Sequence, residues 1–355
     1  MMNNASMFCL LIFGEYCFMS AYPSVCAVVV TFNRKELLIE AIEALMHQTA
    51  SVDAIYLIDN ASSDQTPELL MDQGYISSLP PNILTEPWEQ KYSLKNNLSG
   101  KSVDLFYVRM DENTGGAGGF HEGIRRSSLK SFDWLWVMDD DAIVKKDCLE
   151  KMLPSTQDEL IVGIAPVVKR LDGSIDLGHR GVITDGCPFP RVQKEIALEK
   201  YAEPIVNIQT ASFVGLMFRS DVVSKIGLPE AKFFIHNDDI EYCLRLQKEG
   251  NIVLVTNAEI IHKETSGPGS DMVPYPTLWL RYYSRRNLIY IVSEYSLSSS
   301  KFHFLVILDT FKSVLKVLIK EDNKIGRIRF YIARLIDGYS KTFDNKKPKN
   351  ILYKD

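Results

Sequence analysis

Residues Val25–Phe32 read VCAVVVTF, and no other feature constrains the fold as much. β-Branched side chains suit an extended backbone, and a run without polar alternation leaves no face for water. It therefore predicts a strand buried on both faces, which requires helices on either side of its sheet. The next residues supply one: Leu37, Leu38, Ala41, Ile42, Leu45 and Met46 recur at helical spacing within Glu36–His47.

The same alternation continues. Ala54–Ile58 reads as a second buried strand ending at Asp59, and Thr66–Gln73 as a helix. Phe106–Val108 reads as a third strand. It leads into Asn113-Thr114-Gly115-Gly116-Ala117-Gly118-Gly119 and a helix from Phe120 to about Lys130. Trp134–Met138 is a fourth strand, stopping at Asp139-Asp140-Asp141. This rhythm predicts an α/β fold with a parallel sheet and helices on both faces. Each strand is followed at once by polar residues: Thr31-Phe32-Asn33-Arg34, Asp59-Asn60, Asn113–Gly119 and Asp139–Asp141. Open α/β sheets bind ligands at the carboxyl ends of their strands, so the four clusters are expected to line one crevice.

Beyond the fourth strand the pattern is mixed, with strand-like runs at Leu160–Ala165, Ser212–Phe218, Ile252–Val255 and Ile260–His262, and a segment Phe233–Gln247 that begins extended and turns helical. Thr265–Pro276 is rich in Gly, Pro and Ser and reads as a mobile loop; from Thr277 onward the pattern is helical. The expected organisation is an N-terminal extension (1–24), a first α/β half carrying the crevice (25–150), a second, mixed half (151–275) and a helical C-terminal region (276–355). Met7–Met19 is apolar, but it lacks a basic flank and carries Glu15, so Met19 is an alternative start and the first 18 residues an extension. No run of 18 apolar residues suggests a spanning helix.

Charge is unevenly placed. The net charge is −5, but residues 301–355 hold 13 Lys/Arg against 6 Asp/Glu, or +7, leaving −12 for the rest. An acidic body argues against a nucleic-acid partner, whereas a basic, apolar tail suits an anionic membrane. In Phe302–Lys320 a polar stripe (Asp309, Lys312, Ser313, Lys316, Lys320) leaves Phe304, Leu305, Leu308, Phe311, Leu315 and Leu318 on the other side. That face is expected either to lie in a bilayer interface or to pack on the body or a second subunit. Six cysteines without a CxxC pair fit a reducing compartment.

Three adjacent carboxylates, Asp139–Asp141, repel one another unless a cation compensates; oxygen ligands of this kind suit Mg²⁺ or Mn²⁺ bridging to a phosphate. The competing role is a solvated acidic loop, which the place at a strand end disfavours. Asp59 is placed to meet a base or ribose, or to cap the next turn, with Asp64 a helix cap. The glycines allow close approach to a ligand beside a helix N-terminus, or form a tight turn. Within His236–Glu241, acids favour the helix dipole, and one is placed to act as general base. His262 follows a short strand and becomes a metal ligand if the fold brings it to the acids; its imidazole favours Mn²⁺.

Taken together, VVVTFNR (28–34), IDNASSD (58–64), NTGGAGGF (113–120), WVMDDDA (136–142), HNDDIEYCLR (236–245) and His262 resemble the inverting GT-A glycosyltransferases of the family-2 type. The glycine segment with DDDA is most similar to bacterial galactofuranosyltransferases, with rhamnosyltransferases next. The resemblance implies a Rossmann-like GT-A domain and transfer of galactofuranose from UDP-galactofuranose, or rhamnose from dTDP-rhamnose, to a lipid-linked glycan of the cell surface. It places Thr31 and Asp59 at the uridine. Phe32, Asn33, Arg34, Asn113, Gly116 and Gly118 are placed in the donor crevice, and Asp140 at the sugar or ribose. Asp139, Asp141 and His262 become metal ligands and Asp239 the catalytic base, with Asp238 the neighbouring candidate. The expected location is the cytoplasmic face of the cell membrane. A sugar-phosphate nucleotidyltransferase would need a basic glycine loop after the first strand, which Thr31–Arg34 is not; a non-catalytic binding protein is the remaining alternative. Arg281-Tyr282-Tyr283 and Arg285-Arg286-Asn287 read either as a lipid-diphosphate contact or as a solvated basic face.

Overall fold

The computed structural model describes residues 22–183, 191–263, 278–295 and 300–353. The expected extension before Tyr22, Met19 and the segment Thr265–Pro276 lie outside the described residues. The first half runs β1 (Val25–Thr31), α1 (Lys35–Met46), β2 (Ala54–Asp59), α2 (Thr66–Asp72), β3 (Trp88–Lys95), β4 (Ser102–Arg109), α3 (Gly115–Ser128) and β5 (Trp134–Asp139). Then come β6 (Ala142–Val144), α4 (Cys148–Met152), β7 (Ile161–Lys169), β8 (Arg180–Ile183), β9 (Gln193–Glu195), β10 (Ile205–Ile208), β11 (Thr210–Ala211) and β12 (Leu216–Arg219). They are followed by α5 (Val223–Ile226), α6 (Asp238–Leu246) and β13 (Asn251–His262). The last helices are α7 (Leu280–Glu294), α8 (Ser300–Lys320), α9 (Lys324–Ser340) and α10 (Lys347–Tyr353).

Ten strands form one sheet, in the order β10-β13-β7-β12-β5-β1-β2-β4-β3, with β6 also on β13. Its centre, β5-β1-β2-β4, is parallel. Every residue of β1 and β2 is buried, as continuous apolar strands between two helix layers must be. Ala27 and Val29 pack toward Leu38, Ile42 and Leu45 of α1, whereas Cys26, Val28 and Val30 pack toward Phe120 and Ile124 of α3. The chain therefore winds onto opposite faces from β1, and the crevice opens where β1 and β5 part.

The sheet is mixed rather than wholly parallel. β3 adds an antiparallel edge to β4, and β12 runs antiparallel between β5 and β7. β3 escapes a reading of apolar runs because Glu89, Gln90, Lys91, Ser93 and Lys95 suit an exposed edge. The two short strands expected near 252 and 260 are one, β13, with its register on β7 interrupted between Val255 and Glu259. The predicted strand Ser212–Phe218 is β12, starting at Leu216 after the two-residue β11.

The helix expected from Phe120 begins at Gly115, so the glycines lie in its first turns. Added Cβ atoms would sit 2.5 Å from Val30 Cγ1 at Gly119 and 2.4 Å from Val28 Cγ1 at Gly123. Lacking them, α3 beds directly on β1. This generates a sign test: Gly→Ala gains about 1 kcal/mol of helix propensity, but overpacking a filled interface costs about 1–3 kcal/mol. Gly123→Ala is therefore expected to lower unfolding stability, by about 1 kcal/mol in urea titration, instead of raising it.

Candidate active site

Strand register builds the crevice floor. Thr31 is paired with Asp59, Asp59 with Arg109, and Val30 with Asp139, so residues far apart in sequence end their strands in one row. Thr31 is buried and donates to Asp140 Oδ2 at 2.7 Å; Arg34 reaches Asp141 Oδ2 at 2.9 Å and Asp140 Oδ1 at 3.4 Å. The antiparallel pairing of β6 with β13 sets His262 opposite Ala142, next to the acids.

Ligand atoms of Asp139, Asp141 and His262 lie within 4.8 Å of one another. His262 Nε2 approaches Asp141 Oδ1 at 3.1 Å as an ion pair, without hydrogen-bond geometry. Asp141 Oδ1 and His262 Nδ1 are buried with no hydrogen-bond partner. Burial and the charges of Asp141 and Asp140 push the Asp139 carboxyl up to about 8; burial raises Asp140 to about 6. Burial works against ionisation of Asp141, but His262 and Arg34 outweigh it and hold its carboxyl low. A crowded carboxylate pair, an imidazole and orphaned donor atoms fit a divalent cation.

The same cavity, of about 330 Å³, is lined by Arg34, Gly116, Phe120, Asp139, Asp141, His262, His179, Ser212, Asp238 and Asp239. Asp238 and Asp239 open α6, which follows a backbone with left-handed φ at Phe234 (66°), His236 (70°) and Asn237 (66°). Such strain needs external support. Gly115 supplies part: an added Cβ would lie 2.0 Å from Phe234 O, and the Ala117 N–H donates to that oxygen at 3.0 Å. α7 supplies the rest. Asn287 Nδ2 donates to the carbonyls of Phe233, Ile235 and His236, and Arg286 Nη2 to those of Lys232 and Phe233. Arg286 and Asn287, expected on a basic face or at a lipid, are thus buried supports of the loop.

Asp238 and Asp239 differ. Burial and the charges of Asp239 and Asp139 push Asp238 far above the carboxylate range. Burial raises Asp239 to about 6, held there by the Ile240 N–H and by the charge of Arg180. Burial thus raises both carboxyls, Asp238 the more strongly, and Asp239 is the more acidic of the two.

Other expected site residues sit apart from the open volume. Asp59 is fully buried; its carboxylate accepts from Ser62 N at 2.8 Å, from Tyr107 OH at 2.8 Å and from Arg109. What it offers the crevice is a shaped loop rather than a free carboxylate. Asn33 is exposed and joins the β1–α1 and β2–α2 turns by accepting from Ser63 N at 2.6 Å, while Asp64 accepts from Lys35 N. Asn113 Oδ1 accepts from Gly115 N, and Asn60 Oδ1 from Thr114 N. Phe32 is 40% exposed at the rim. Gly116 lines the cavity, but Gly118 is turned inward, where a Cβ would meet Thr114 Oγ1 at 2.3 Å. Its missing side chain leaves room for Thr114.

Sequence reasoning missed His179, Ser212 and Arg180. His179 packs edge-on to His262 with ring centroids 5.1 Å apart and shares a 2.7 Å hydrogen bond with Ser212 Oγ. Burial, with the charges of Arg180 and His262, lowers His179 to about 3, keeping it neutral. Arg180 is fully buried and donates to the carbonyls of Pro166, His179 and Val214. No local motif marks them; Asp176-Leu177-Gly178-His179-Arg180 lacks the apolar periodicity that flags a strand end.

The donor set generates a direct test. Mn²⁺ is expected to raise the thermal unfolding midpoint by mass action on the folded state. Asp141→Ala should abolish that rise; a metal-independent midpoint in the wild type would contradict the fit.

Comparison with known proteins places this geometry. Galactofuranosyltransferase GlfT1 of Mycolicibacterium smegmatis is 26% identical over 229 residues, covering 64% of this chain and 66% of that protein. GlfT1 of Mycobacterium tuberculosis is 25% identical over 228 residues, with the same coverage, 64% and 66%. The match thus spans just under two thirds of these relatives. The crystal structure of GalNAc-T7 with UDP, GalNAc and Mn²⁺ superposes with a TM-score of 0.55 at 12% identity, covering 92% of this chain and 58% of that one, and so shares the GT-A fold. The model of glycosyl transferase family 2 matches residues 26–83 and 86–227, more than half of the sequence, and the chain belongs to that family.

Proposed function

We propose that this glycosyltransferase moves galactofuranose from UDP-galactofuranose to a hydroxyl of a lipid-linked saccharide, with inversion. One observation carries the chemistry: the carboxylate–imidazole cluster of Asp139, Asp141 and His262 lines the same cavity as Asp239. The donor's name rests on the likeness to galactofuranosyltransferases; dTDP-rhamnose is the competing donor.

Asp139, Asp141 and His262 would hold a Mn²⁺ or Mg²⁺ ion, which stabilises negative charge on a departing nucleoside diphosphate. The protein's own residues do the rest. Gly116 lines the cavity proposed for the donor, and Asp140, held by Thr31 and Arg34, is buried beside it. Asp239 Oδ takes the proton of an acceptor hydroxyl as its oxygen attacks the anomeric carbon. The bond from that carbon to the diphosphate breaks on the opposite face. Because only ionised Asp239 can act, kcat/KM is expected to fall about tenfold per pH unit below about pH 6. Asp239→Asn should lower transfer by about 10²-fold or more while leaving donor affinity in place. Loss in Asp238→Asn with retention in Asp239→Asn, in radiolabelled transfer assays, would assign the base to Asp238. Transfer from dTDP-rhamnose alone would replace the donor.

The acceptor's membrane setting is supported by α8 and α9, the site of a correction to the sequence reading. Asp309 and Ser313 of the polar stripe turn inward. Phe304 (63% exposed), Ile307, Phe311, Leu315, Leu318 and Ile319 face outward on α8, as do Ile325, Ile332 and Ile336 on α9. Among the described residues no helix is long and apolar enough to cross a membrane. Apolar patches of this extent are interaction surfaces. Lys301, Lys312, Lys316 and Lys320 lie along one flank of the α8 stripe, and each basic group near an anionic surface contributes about 1 kcal/mol. We place this face on the anionic inner leaflet of the cell membrane, apolar side inserted. Phe311→Ser with Leu315→Ser is expected to abolish co-sedimentation with phosphatidylglycerol vesicles and leave the fold intact. Wild-type protein that self-associates and ignores vesicles would instead mark a subunit interface.

A further inference from the structure

Under α8, on the side away from its apolar stripe, lies a cavity of about 340 Å³ lined by Arg281, Ser284 and Arg285 of α7, Asp309 and Ser313 of α8, and Tyr331 and Arg334 of α9, with Arg191 beside them. Its floor is unusual. Arg285 Nη2 and Arg334 Nη2 converge on a single carboxylate oxygen, Asp309 Oδ2, at 3.0 and 3.3 Å. Two guanidinium groups thus share one acid, and their side chains are only 12% and 5% exposed. Arg334 Nε is buried without a hydrogen-bond partner, and its guanidinium lies 4.5 Å from the Tyr331 ring centre. Arg281 adds a third positive charge at the exposed mouth, where Ser284 is also exposed. Arg191 is held by Glu195.

Burying like charges around one carboxylate costs free energy unless an anion joins them. Burial and the neighbouring charge of Arg285 already lower Arg334 to about 10. Planar, multiply donating guanidiniums match phosphate oxygens, and the exposed Ser284 supplies a neutral hydroxyl, whereas the Ser313 hydroxyl donates to the Asp309 carbonyl at 2.8 Å. The cavity is also tied to the catalytic crevice. Arg191 lines a second cavity with His179, His236 and His262, and those three line the crevice itself. The arginine cavity therefore shares a wall residue with a cavity whose histidines also border the crevice.

We infer that the cavity of Arg281, Arg285 and Arg334 around Asp309 is an anion site for a phosphate or diphosphate group, and that it anchors the phosphorylated end of the acceptor. The second clause rests on the proposed function; the first does not. The site lies apart from the Asp139–Asp141 crevice, so it is not the donor diphosphate position.

Calorimetry of the full-length protein with inorganic pyrophosphate, in EDTA to keep divalent cations from the crevice, tests the site. Binding is expected in the wild type, weakened at least tenfold in Arg281→Gln and in Arg334→Gln. Arg281 is exposed, so its variant stays informative if Arg334→Gln fails to fold. No binding by the wild type, or equal affinity in Arg281→Gln, would overturn the site. Two acceptors with one glycan, carrying either a prenyl diphosphate or a neutral octyl group, test its use. KM is expected to favour the diphosphate at least tenfold, and Arg281→Gln to collapse that ratio; equal KM values overturn the anchoring role. Displacement of pyrophosphate by neutral vesicles doped with prenyl diphosphate assigns the site to the acceptor, whereas equal displacement by phosphatidylglycerol vesicles assigns it to a lipid headgroup and overturns the anchoring role. Pyrophosphate binding without transfer to either acceptor refutes the proposed function and leaves the anion site standing.

Discussion

Much of the site depends on one short stretch of backbone, Phe234–Asn237, with three residues in the left-handed region. Left alone, each such residue costs on the order of 1 kcal/mol or more, and the segment would relax. It is held from two sides. Gly115 lets α3 touch the Phe234 carbonyl, and Asn287 and Arg286 donate five hydrogen bonds to the carbonyls of Lys232, Phe233, Ile235 and His236, in the loop and just before it. The turn of the loop then aims the first residues of α6 at the crevice. A helix of the C-terminal region thereby positions acids that belong to the sheet domain. The last helices are therefore part of the catalytic architecture as well as a surface.

Electrostatics is the second constraint. Asp139, Asp140, Asp141, Asp238 and Asp239 crowd one end of the sheet, with Arg34, Arg180 and His262 the nearby positive groups. The result is a graded set of proton affinities. His262 and Arg34 hold Asp141 low, burial and neighbouring charge raise Asp139, and burial raises Asp238 more than Asp239. Environment sets neighbouring carboxylates apart in proton affinity, which supports the proposed division between a base and metal ligands. On the far side of α7 the sign reverses, where arginines outnumber acids around Asp309.

Several elements were legible in the sequence because their signals are local. β1, β2 and β5 are continuous apolar runs, α1 has a clear helical period, and the polar residues after each strand do converge. β3 was not legible: an exposed edge strand with charged residues lacks the pattern that marks burial. The glycines of α3 read as a loop because helix propensity penalises glycine, whereas here packing on Val28 and Val30 outweighs it. Gly118 and Asp59 have the right composition for ligand contact, yet their partners, Thr114 in one case and Tyr107 and Arg109 in the other, come from tertiary packing. The polar stripe of α8 is divided by the fold: Arg285 and Arg334 draw Asp309 inward, whereas Lys312 and Lys320 stay exposed.

The sequence by itself determined the α/β framework and the chemical types at the strand ends, because hydrophobic periodicity and strand termination act over a few residues. Only the tertiary structure decided which of those residues meet. His262 lies about 120 positions after Asp141, and the pairing of β6 with β13 brings them within 3.1 Å. His179 and Arg180 left no local trace, and the basic run from Arg281 to Asn287 was visible without its partners Asp309 and Arg334, because that placement depends on non-local strand and helix contacts. Spacing along the chain records who is near in sequence; charge, burial and proton affinity depend on who is near in space.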